Sequence, residues 1–250
     1  MYSGDRLTAE ERATMDAGRW FSCLSASARH DLLRAGKVRR YQPGEAISER
    51  GSSTCEWYAC ASGAIRISST CNAGRQVVHT YLQAGSWFGD PGLFDGGPCT
   101  LDAYAHVGTA LFSVSRDRFQ SLLASSPDLS AAVLRLQATR IRELCESLEE
   151  AYTLPLGPRL ARQLIMLADR HGVPDRHKGG TRIDLILRQD EIANLVGVSR
   201  QRVNAELKRF ERGGLIRMER GAMVVCKPDA LLGAGWGSVT RRGPAGSYAQ

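Results

Sequence analysis

The chain has 250 residues, of which 43% are hydrophobic and 24% are charged, and its net charge is +7. This length suits two domains that each bury a core, and the composition is that of an ordinary globular protein. We find no apolar run long enough to span a membrane and no apolar segment in residues 1–9 that would mark a secretory signal. A membrane or secreted protein is therefore not expected, and we predict a cytoplasmic location.

The excess positive charge lies in the C-terminal part of the chain. Residues 1–156 hold 16 Lys and Arg against 17 Asp and Glu, whereas residues 157–250 hold 17 against 9. A basic module attached to a neutral one predicts a polyanionic partner, and nucleic acid is the first candidate. A basic surface that is merely solvated would give the same count, so charge alone leaves both interpretations open.

The cysteines and histidines give no metal-binding pattern. The seven cysteines are Cys23, Cys55, Cys60, Cys71, Cys99, Cys145 and Cys226. No two of them form the Cys-x-x-Cys pair of a zinc ribbon, and in a reducing compartment they are expected to remain thiols. The five histidines also lack ligand spacing. We therefore predict no metal site and no catalytic residue.

The N-terminal half predicts helices followed by a β-roll. Thr8 to Glu11 is typical of a capping box that opens a short helix, and Trp20 to Ala35 carries apolar residues at helical spacing. Between Val38 and Val114, short apolar runs alternate with breaks that contain Gly, Pro or Asp. The runs include Ala64–Ser68, Val77–Leu82 and Ala110–Val114. Many short strands at this spacing indicate a β-roll of the jelly-roll type.

A long helix is predicted from Pro127 to about Tyr152. Ser126 can cap it, Pro127 suits the first helical position, and Asp128 favours the positive end of the helix dipole. Apolar residues recur within it in alternating steps of three and four, which is the heptad pattern of helices that pair. The row consists of Leu134, Gln137, Ile141, Leu144, Leu148 and Ala151. Pairing with a second copy and packing on the chain's own domain both remain open.

The segment Leu154–Pro158 breaks the helical pattern and predicts a domain boundary and hinge. Helical spacing resumes from Arg159 to His171, a polar loop follows over Gly172–Thr181, and Gly233–Gln250 is predicted to be a flexible tail. We therefore divide the chain into four parts. They are the N-terminal helices and β-roll (1–126), the long helix (127–153), a basic C-terminal domain (154–232) and the tail (233–250).

The strongest functional pattern lies between Gln189 and Glu211. Ile192, Ala193 and Val196 give a short helix one packing face. Gly197 supplies a turn residue that tolerates positive φ, and Ser199 can cap a second helix. Two short helices joined in this way are typical of a helix-turn-helix motif.

The second helix has the two faces that a major-groove helix needs. Val203, Leu207 and Phe210 share one side, so the polar and basic residues face away from the core. Arg can bind guanine, Gln or Asn can bind adenine, and Lys or Arg can meet phosphates. After Gly213–Gly214, Leu215–Val225 is predicted to be a hairpin that turns near Arg220–Gly221 and forms a wing. The predicted DNA-binding residues are Gln189, Ser199, Arg200, Gln201, Arg202, Asn204, Ala205, Lys208 and Arg209.

Over roughly residues 20–230 the chain resembles the CRP/FNR family of bacterial transcription regulators. The motifs are Pro43-Gly44-Glu45, Trp87-Phe88-Gly89-Asp90-Pro91-Gly92-Leu93-Phe94, Arg159-Leu160-Ala161-Arg162 and Val198-Ser199-Arg200-Gln201-Arg202-Val203-Asn204. The resemblance implies an α+β fold with a β-roll, a long dimerisation helix and a winged helix-turn-helix. It also implies a homodimer, an effector pocket between roll and helix, and a two-fold symmetric DNA site.

The resemblance places three base-reading positions of the family on Arg200, Gln201 and Ala205. Arg200 keeps the usual Arg, whereas Gln201 replaces a frequent Glu and Ala205 replaces a frequent Arg. The DNA site is therefore expected to differ from that of the cyclic-AMP-dependent members. Arg188 stands where the family often has a Thr or Ser cap, which weakens the start of the first helix.

In family members that bind cyclic AMP, the ribose and phosphate contacts correspond to Asp90, Thr100 and Leu101 of this chain. No Arg lies between Asp90 and Val114, so a phosphate would lack its cation. We predict that cyclic AMP does not bind here in the usual way, and leave open cyclic di-GMP, another nucleotide or an apolar metabolite. The candidate effector-pocket residues are Phe88, Gly89, Asp90, Cys99, Thr100, Leu101, Leu144 and Cys145.

Several alternatives remain at this stage. An iron–sulfur cluster is not expected, because only Cys23 lies near the N-terminal region where related proteins hold one. Haem ligation by Cys71 or His79, and oxidant sensing by Cys99 or Cys145, compete with ordinary packing of these residues. A cupin-like metal enzyme and a module that docks to protein are the alternative functions. Within the leading interpretation, the loop at 174–181 is a candidate contact for RNA polymerase.

Overall fold

The computed structural model describes residues 6–53, 55–71, 74, 76–89, 91–176, 178–219 and 222–235. The chain divides into two compact units, Met1–Leu148 and Glu149–Gln250. Both units combine helices with antiparallel strands, which confirms the predicted α+β class. None of the helices in the described ranges has the length and the apolar content needed to cross a membrane.

The first unit begins with two short helices. Helix α1 spans Ala9–Ala17, a 3-10 turn spans Phe21–Cys23, and α2 spans Ala26–Ala35. The predicted capping box is confirmed, because Glu11 N donates to Thr8 Oγ1 at 3.2 Å and Thr8 N donates to Glu11 Oε2 at 2.8 Å. These bonds satisfy two backbone groups that the start of a helix leaves without partners.

Eight strands and two short helices then form the predicted β-roll. The strands are β1 (Lys37–Tyr41), β2 (Ala46–Ser48), β3 (Glu56–Ser62), β4 (Ala64–Thr70), β5 (Gln76–Gln83), β6 (Trp87–Phe88), β7 (Asp102–Ala105) and β8 (Thr109–Ser115). They form two antiparallel sheets with the orders β1-β8-β3-β6 and β2-β7-β4-β5. Helix α3 (Gly92–Asp95) lies between β6 and β7 in the chain, and α4 (Arg116–Ser125) follows β8.

Aromatic side chains fill the core between the roll and the helices. The Trp57 ring stacks on Phe119 at 4.8 Å and lies edge-on to Trp20 at 5.5 Å, while Phe21 stacks on Trp87 at 5.0 Å. Such ring pairs add to the free energy gained from burying their area. A Cβ on Gly89 would come within 2.5 Å of the Trp57 ring, so only glycine fits at this position of the sequence motif.

Helix α5 spans Pro127–Thr153, within one residue of its predicted limits. Ser126 Oγ accepts from Leu129 N at 3.3 Å, which confirms the predicted cap. The N-terminal part packs on the roll, where Trp20 Nε1 donates to the Ala132 carbonyl at 3.0 Å. Further along, the Arg140 guanidinium donates to the Trp87 carbonyl and lies over the Trp57 ring at 5.9 Å. Burial lowers the pKa of Arg140.

The second unit is a small helical domain with a four-stranded sheet of order β11-β12-β10-β9. Its elements are α6 (Leu156–His171), β9 (Gly172–Pro174), β10 (Thr181–Ile183), α7 (Gln189–Val196), α8 (Arg200–Arg212), β11 (Ile216–Glu219), β12 (Ala222–Val225) and α9 (Pro228–Gly235). The predicted hairpin is confirmed as β11 and β12, although its predicted turn at 220–221 lies outside the described residues.

Three local features of this unit differ from the sequence prediction. Helix α6 begins at Leu156 rather than Arg159, because Pro158 falls in the first turn, where a missing N–H has no helical partner to lose. The ends of the predicted polar loop pair as strands β9 and β10. Helix α9 includes residues 233–235, which were predicted as tail, and residues 236–250 lie outside the described residues.

A half-buried ion pair joins α1 to the roll. The Arg40 guanidinium on β1 binds both carboxylate oxygens of Glu11, at 2.6 and 3.1 Å. The Glu11 side chain is only 8% exposed. Hydrogen bonds from Arg40 hold the pKa of Glu11 below its usual value of 4.5. Because the folded pKa is lowered, the stabilisation is present above about pH 4.5 and is lost as the pH falls through the lowered pKa.

We expect Glu11→Gln to lower the free energy of unfolding of the first unit by about 1–2 kcal/mol at pH 7, because Arg40 would lose its charged partner. The loss should shrink as the pH falls below about 4.5 and through the lowered pKa of Glu11. Denaturant unfolding at several pH values measures it. Glu10→Gln, at an exposed carboxylate on the same turn, is the matched control and should change stability by less than about 0.5 kcal/mol. An equal loss at pH 7 and pH 3 would contradict the ion-pair explanation.

Candidate nucleic-acid interface

Helices α7 and α8 form the predicted helix-turn-helix. Gly197 ends α7 in the left-handed region, with φ at +68°. Ser199 caps α8, since its side chain accepts from Arg202 N at 3.5 Å. On the other side of the turn, Arg159 Nη2 donates to the Val196 carbonyl at 2.6 Å, so α6 holds the end of α7. The positive φ of Gly197 and the Ser199 cap therefore determine where α7 ends and where α8 begins.

The first turn of α7 is capped from Glu191 rather than from Arg188. The Arg188 side chain makes no capping hydrogen bond to the helix, as expected for an Arg in place of Ser or Thr. Glu191 Oε2 instead accepts from Arg188 N at 2.8 Å and lies 3.6 Å from Arg188 Nε. A carboxylate near the positive end of a helix is stabilising, so the backbone start of α7 is still satisfied.

Helix α8 is anchored through one face and exposed on the other. Val203, Leu207 and Phe210 are at most 2% exposed. The exposed positions are Arg200, Gln201, Arg202, Ala205, Lys208, Glu211 and Arg212. Between residues 200 and 212 the chain has five basic residues and two acidic ones. The outward face of α8 therefore has the chemistry predicted for contact with DNA.

The two acidic residues of α8 are engaged within the domain. Glu206 pairs with Arg209, and Glu211 Oε1 accepts from Met218 N on β11 at 3.1 Å. Within the described residues, Arg200, Arg202 and Lys208 form no ion pair. Arg212 also has no ion pair among the described residues, so the helix presents four positive charges without a counterion there.

Gln189 at the start of α7 contacts two other predicted DNA-binding side chains, both on α8. Its Nε2 donates to Asn204 Oδ1 at 3.2 Å, and its Oε1 accepts from Arg200 Nε at 3.4 Å. The start of α7 thereby orients two side chains on the first turns of α8. The sequence placed these residues in one motif but gave no sign of this bridge, because it depends on the crossing of the two helices.

Arg209 has a different environment from the other predicted contacts. Both terminal nitrogens donate to the Ala234 carbonyl of α9 at 3.3 Å, and the guanidinium lies 5.0 Å from the Phe210 ring centre. Its remaining partner is Glu206. Arg209 thus fastens α9 to α8, and its contact with DNA stays a prediction.

The wing strands are tied to the loop between β9 and β10. The Arg217 guanidinium on β11 binds Glu219 at 2.9 Å and also binds Asp175. Met218 and Met223 face each other in the β11–β12 register. These contacts fix the hairpin to the body of the domain beside the helix-turn-helix.

The predicted effector-pocket residues divide into buried and exposed groups. Phe88 is buried and stacks on Tyr58 at 5.0 Å, and Cys99 is also buried. Burial raises the pKa of Tyr58. Gly89 and Leu101 are half-buried, whereas Thr100, Leu144 and Cys145 are exposed, with Leu144 exposed by 67%. Asp90 lies outside the described residues. Within one chain, Phe88 and Cys99 are therefore enclosed, whereas Leu144 and Cys145 are open to solvent.

His79 and Cys71, the candidates for haem ligation, lie near one end of the roll. His79 Nε2 is 2.8 Å from Ser69 Oγ, and burial lowers the pKa of His79. Across the part of the chain that the structure describes, no group of three or more His, Cys, Asp or Glu side chains could hold a metal ion.

Comparisons with known proteins cover most of the chain. A Crp-like helix-turn-helix domain model matches residues 158–233, and a cyclic nucleotide-binding domain model matches residues 38–126. A CRP-like cAMP-activated global transcriptional regulator of Mycobacterium tuberculosis is 31% identical over 202 residues, covering 79% of this chain and 89% of that protein. The cAMP-activated global transcriptional regulator CRP of Haemophilus influenzae is 25% identical over 190 residues, covering 75% of this chain and 83% of that protein.

Solved structures show the same fold. The c-di-GMP responsive global regulator CLP of Xanthomonas campestris superposes with a TM-score of 0.69 at 22% identity, covering 81% of this chain and 99% of that one. The matching family consists of transcription regulators rather than enzymes, which sets aside the cupin-like and protein-docking alternatives. The chain belongs to the CRP/FNR family and is a DNA-binding transcription regulator.

Proposed function

We propose that this regulator acts as a homodimer paired through α5. The observation that carries the proposal is the exposure of the predicted apolar row. Leu134, Ile141, Leu144 and Leu148 are between 56% and 70% exposed. Among the described residues these side chains stay exposed, which favours pairing with a second copy over packing within one chain. Large apolar side chains in a heptad row gain free energy when a second copy buries them.

Pairing through α5 would present α8 twice about a two-fold axis. To enter successive major grooves, the two recognition helices must lie about one DNA turn, roughly 34 Å, apart. The break between α5 and α6 at Leu154–Pro155 is the proposed hinge that sets this spacing. On this basis the four parts proposed from the sequence, 1–126, 127–153, 154–232 and 233–250, serve as effector domain, dimerisation helix, DNA-binding domain and tail.

The exposed face of α8 suggests distinct roles for its side chains. We assign base contacts to Arg200, Gln201 and Asn204, since Arg reads guanine and the amides read adenine. Ala205 can meet a thymine methyl group. Lys208 and Arg202 are assigned to phosphates, which fix register and supply most of the salt-dependent affinity. Ser199 acts as the helix cap and Gln189 as the bridge to Arg200 and Asn204.

A footprint tests the homodimer and the symmetric site together. Randomised duplex DNA selected on the full-length protein supplies a binding sequence. We expect two protected half-sites, related by two-fold symmetry and about 10 base pairs apart between their centres. One protected half-site, or two in direct repeat, would overturn the proposed symmetric dimer while leaving the DNA-binding function in place.

For the effector, we propose a ligand other than cyclic AMP bound near the loop between β6 and β7. The phosphate positions of cyclic-AMP-binding members fall on exposed Thr100 and on Leu101, neither of which carries a cation. Arg116 from α4 reaches this loop, where it donates to the Gly97 carbonyl at 3.2 Å. One terminal nitrogen of Arg116 is thus bonded to the backbone of the loop. Such a ligand would shift the DNA-binding arrangement only through different affinities for two arrangements.

Calorimetry with cyclic AMP checks this proposal. We expect no saturable binding of cyclic AMP at micromolar concentrations, because a phosphodiester would be desolvated without a bidentate cationic partner. The Mycobacterium tuberculosis relative, described as cAMP-activated, is the positive control under the same conditions. Micromolar binding to this protein would show that another group supplies the missing charge.

Two further parts of the proposal concern the surroundings of the protein. The β9–β10 connection, held by the Asp175–Arg217 ion pair, is proposed as the contact with RNA polymerase. Substitutions in residues 176–179 should then reduce transcription without changing the affinity for DNA.

The cellular location follows from the DNA-binding function. A regulator that binds promoter DNA works where the chromosome is, so we propose a cytoplasmic location.

A further inference from the structure

We propose that Cys55 and Cys99 form a reversible disulfide within the effector domain. The two Sγ atoms lie 2.6 Å apart, although the residues are 44 positions apart in the sequence. Both occur as thiols in the structure. A disulfide requires about 2.05 Å between the sulfurs, so they need to approach by only about half an ångström.

Backbone contacts hold the two cysteine segments in register. Gly51 N donates to the Cys99 carbonyl at 2.8 Å, and Cys99 N donates to the Ser52 carbonyl at 2.8 Å. This reciprocal pair lies three to four residues before Cys55, which in turn leads directly into β3. These backbone bonds therefore hold Cys99 beside the segment that leads to Cys55.

Cys55, Cys99 and Cys60 are the buried cysteines among the described residues. Cys55 is 4% and Cys99 is 2% exposed, and both belong to the apolar core around Trp57. Cys23, Cys71 and Cys145 are exposed. Oxidation of the buried pair needs a small oxidant and a brief opening of the loop, so its first step should be slower than at the exposed thiols. Once one sulfur is oxidised, its partner is already in place.

A hydroperoxide is the oxidant class that fits this site, and hydrogen peroxide is the simplest member. One sulfur attacks a peroxide oxygen, which breaks the O–O bond, releases water and leaves a sulfenic acid. The second thiol displaces the sulfenic hydroxyl as a second water, and the S–S bond forms. The two thiols lose two electrons in total and the peroxide gains them. A small dithiol reverses the reaction by exchange.

The bond would act on the loop that leads to the proposed effector pocket. Cys99 immediately precedes Thr100 and Leu101, and β7 begins at Asp102. A covalent link to the start of β3 would restrict the positions available to this loop. In a reducing compartment the link would form only during exposure to oxidant. The pair is thus suited to a reversible disulfide rather than to a permanent structural one.

Peptide mapping of the full-length native protein tests the proposal. Reduced native protein is treated with hydrogen peroxide, the peroxide is removed, and the protein is unfolded in N-ethylmaleimide so that buried thiols are also blocked. The unreduced digest is then analysed by mass spectrometry. Trypsin places Cys55 with Cys60 in the peptide 51–66 and Cys99 in the peptide 76–116. We expect these two peptides to be joined, with two hydrogens lost, and to separate after treatment with dithiothreitol.

Variants identify which sulfur of peptide 51–66 reacts. Cys60→Ala should keep the linked peptides, whereas Cys55→Ala and Cys99→Ala should lose them. If the native parent shows both cysteines blocked by N-ethylmaleimide while the exposed thiols are oxidised, the proposal is wrong. It is equally wrong if the link forms only after unfolding in urea, or if it persists in Cys55→Ala.

Discussion

Replacing Arg200 and Lys208 together by alanine is expected to weaken binding to the selected DNA site by at least about 100-fold. Both side chains lie on the exposed face of α8, opposite its buried anchor. A bidentate Arg–guanine contact discriminates by about 1–3 kcal/mol, and the proposed homodimer loses it twice. Equilibrium binding by fluorescence anisotropy at fixed salt measures the change. Because both residues are exposed, thermal unfolding should stay close to that of the parent.

The two single variants are expected to change DNA binding in different ways. Arg200→Ala should relax the base preference at one position of each half-site. Lys208→Ala should weaken all sequences alike and lower the slope of log affinity against log salt by about 1 per copy. If Gln189 orients Arg200 as the structure indicates, Gln189→Ala should resemble Arg200→Ala and lose base preference. If Gln189 instead touches a phosphate, it should resemble Lys208→Ala.

The matched control for charge is Lys227→Ala, an exposed residue between β12 and α9 in the same unit. It removes one positive charge away from α8 and should change affinity by less than about threefold at physiological salt, where distant surface charges are largely screened. If the double variant of Arg200 and Lys208 binds the selected duplex as tightly as the parent, α8 is not the helix that recognises the DNA sequence. The family assignment would survive, but the proposed contacts would not.

Local chemistry explains why the starts of α1, α5 and α8 can be predicted from the sequence. Thr8, Ser126 and Ser199 are capping residues whose partners lie three residues away, so each helix start depends only on neighbours in the sequence. The same holds for Gly197, whose positive φ ends α7. The buried face of α8 also follows from spacing alone, since Val203, Leu207 and Phe210 share one side of any regular helix.

Contacts between distant segments could not be predicted in this way. The Glu11–Arg40 pair, the Gln189 bridge and the approach of Cys55 to Cys99 each join elements whose distance depends on the whole fold. Arg209 is an example of a residue whose environment could not be predicted from nearby sequence. Its helical position is compatible with a DNA contact, but α9 supplies a carbonyl that nothing in residues 189–212 reveals. Strands β9 and β10 are three residues each, too short for a periodicity to be detected.

A single charge on α5 is expected to have the second large effect. Ile141→Glu should convert the proposed homodimer into monomers of 27.3 kDa at micromolar concentration. Ile141 is 62% exposed in one chain and would be buried against its counterpart in the pair. Two carboxylates facing each other without partners in an apolar seam cost several kcal/mol. Sedimentation velocity measures the mass, and the affinity for a two-half-site duplex should fall by about 100-fold or more as bivalency is lost.

Thr139→Glu is the matched control, because it tests whether a negative charge elsewhere on α5 has the same effect as one in the apolar row. Thr139 is exposed two residues earlier on nearly the opposite side of α5, so the variant adds the same charge without entering the proposed interface. It should remain dimeric and bind DNA like the parent. If Ile141→Glu also remains dimeric, α5 is not the pairing surface, and another face must place the two recognition helices. If it becomes monomeric but keeps its affinity for the two-half-site duplex, one α8 is sufficient for recognition. In that case the row on α5 serves assembly and not the reading of DNA.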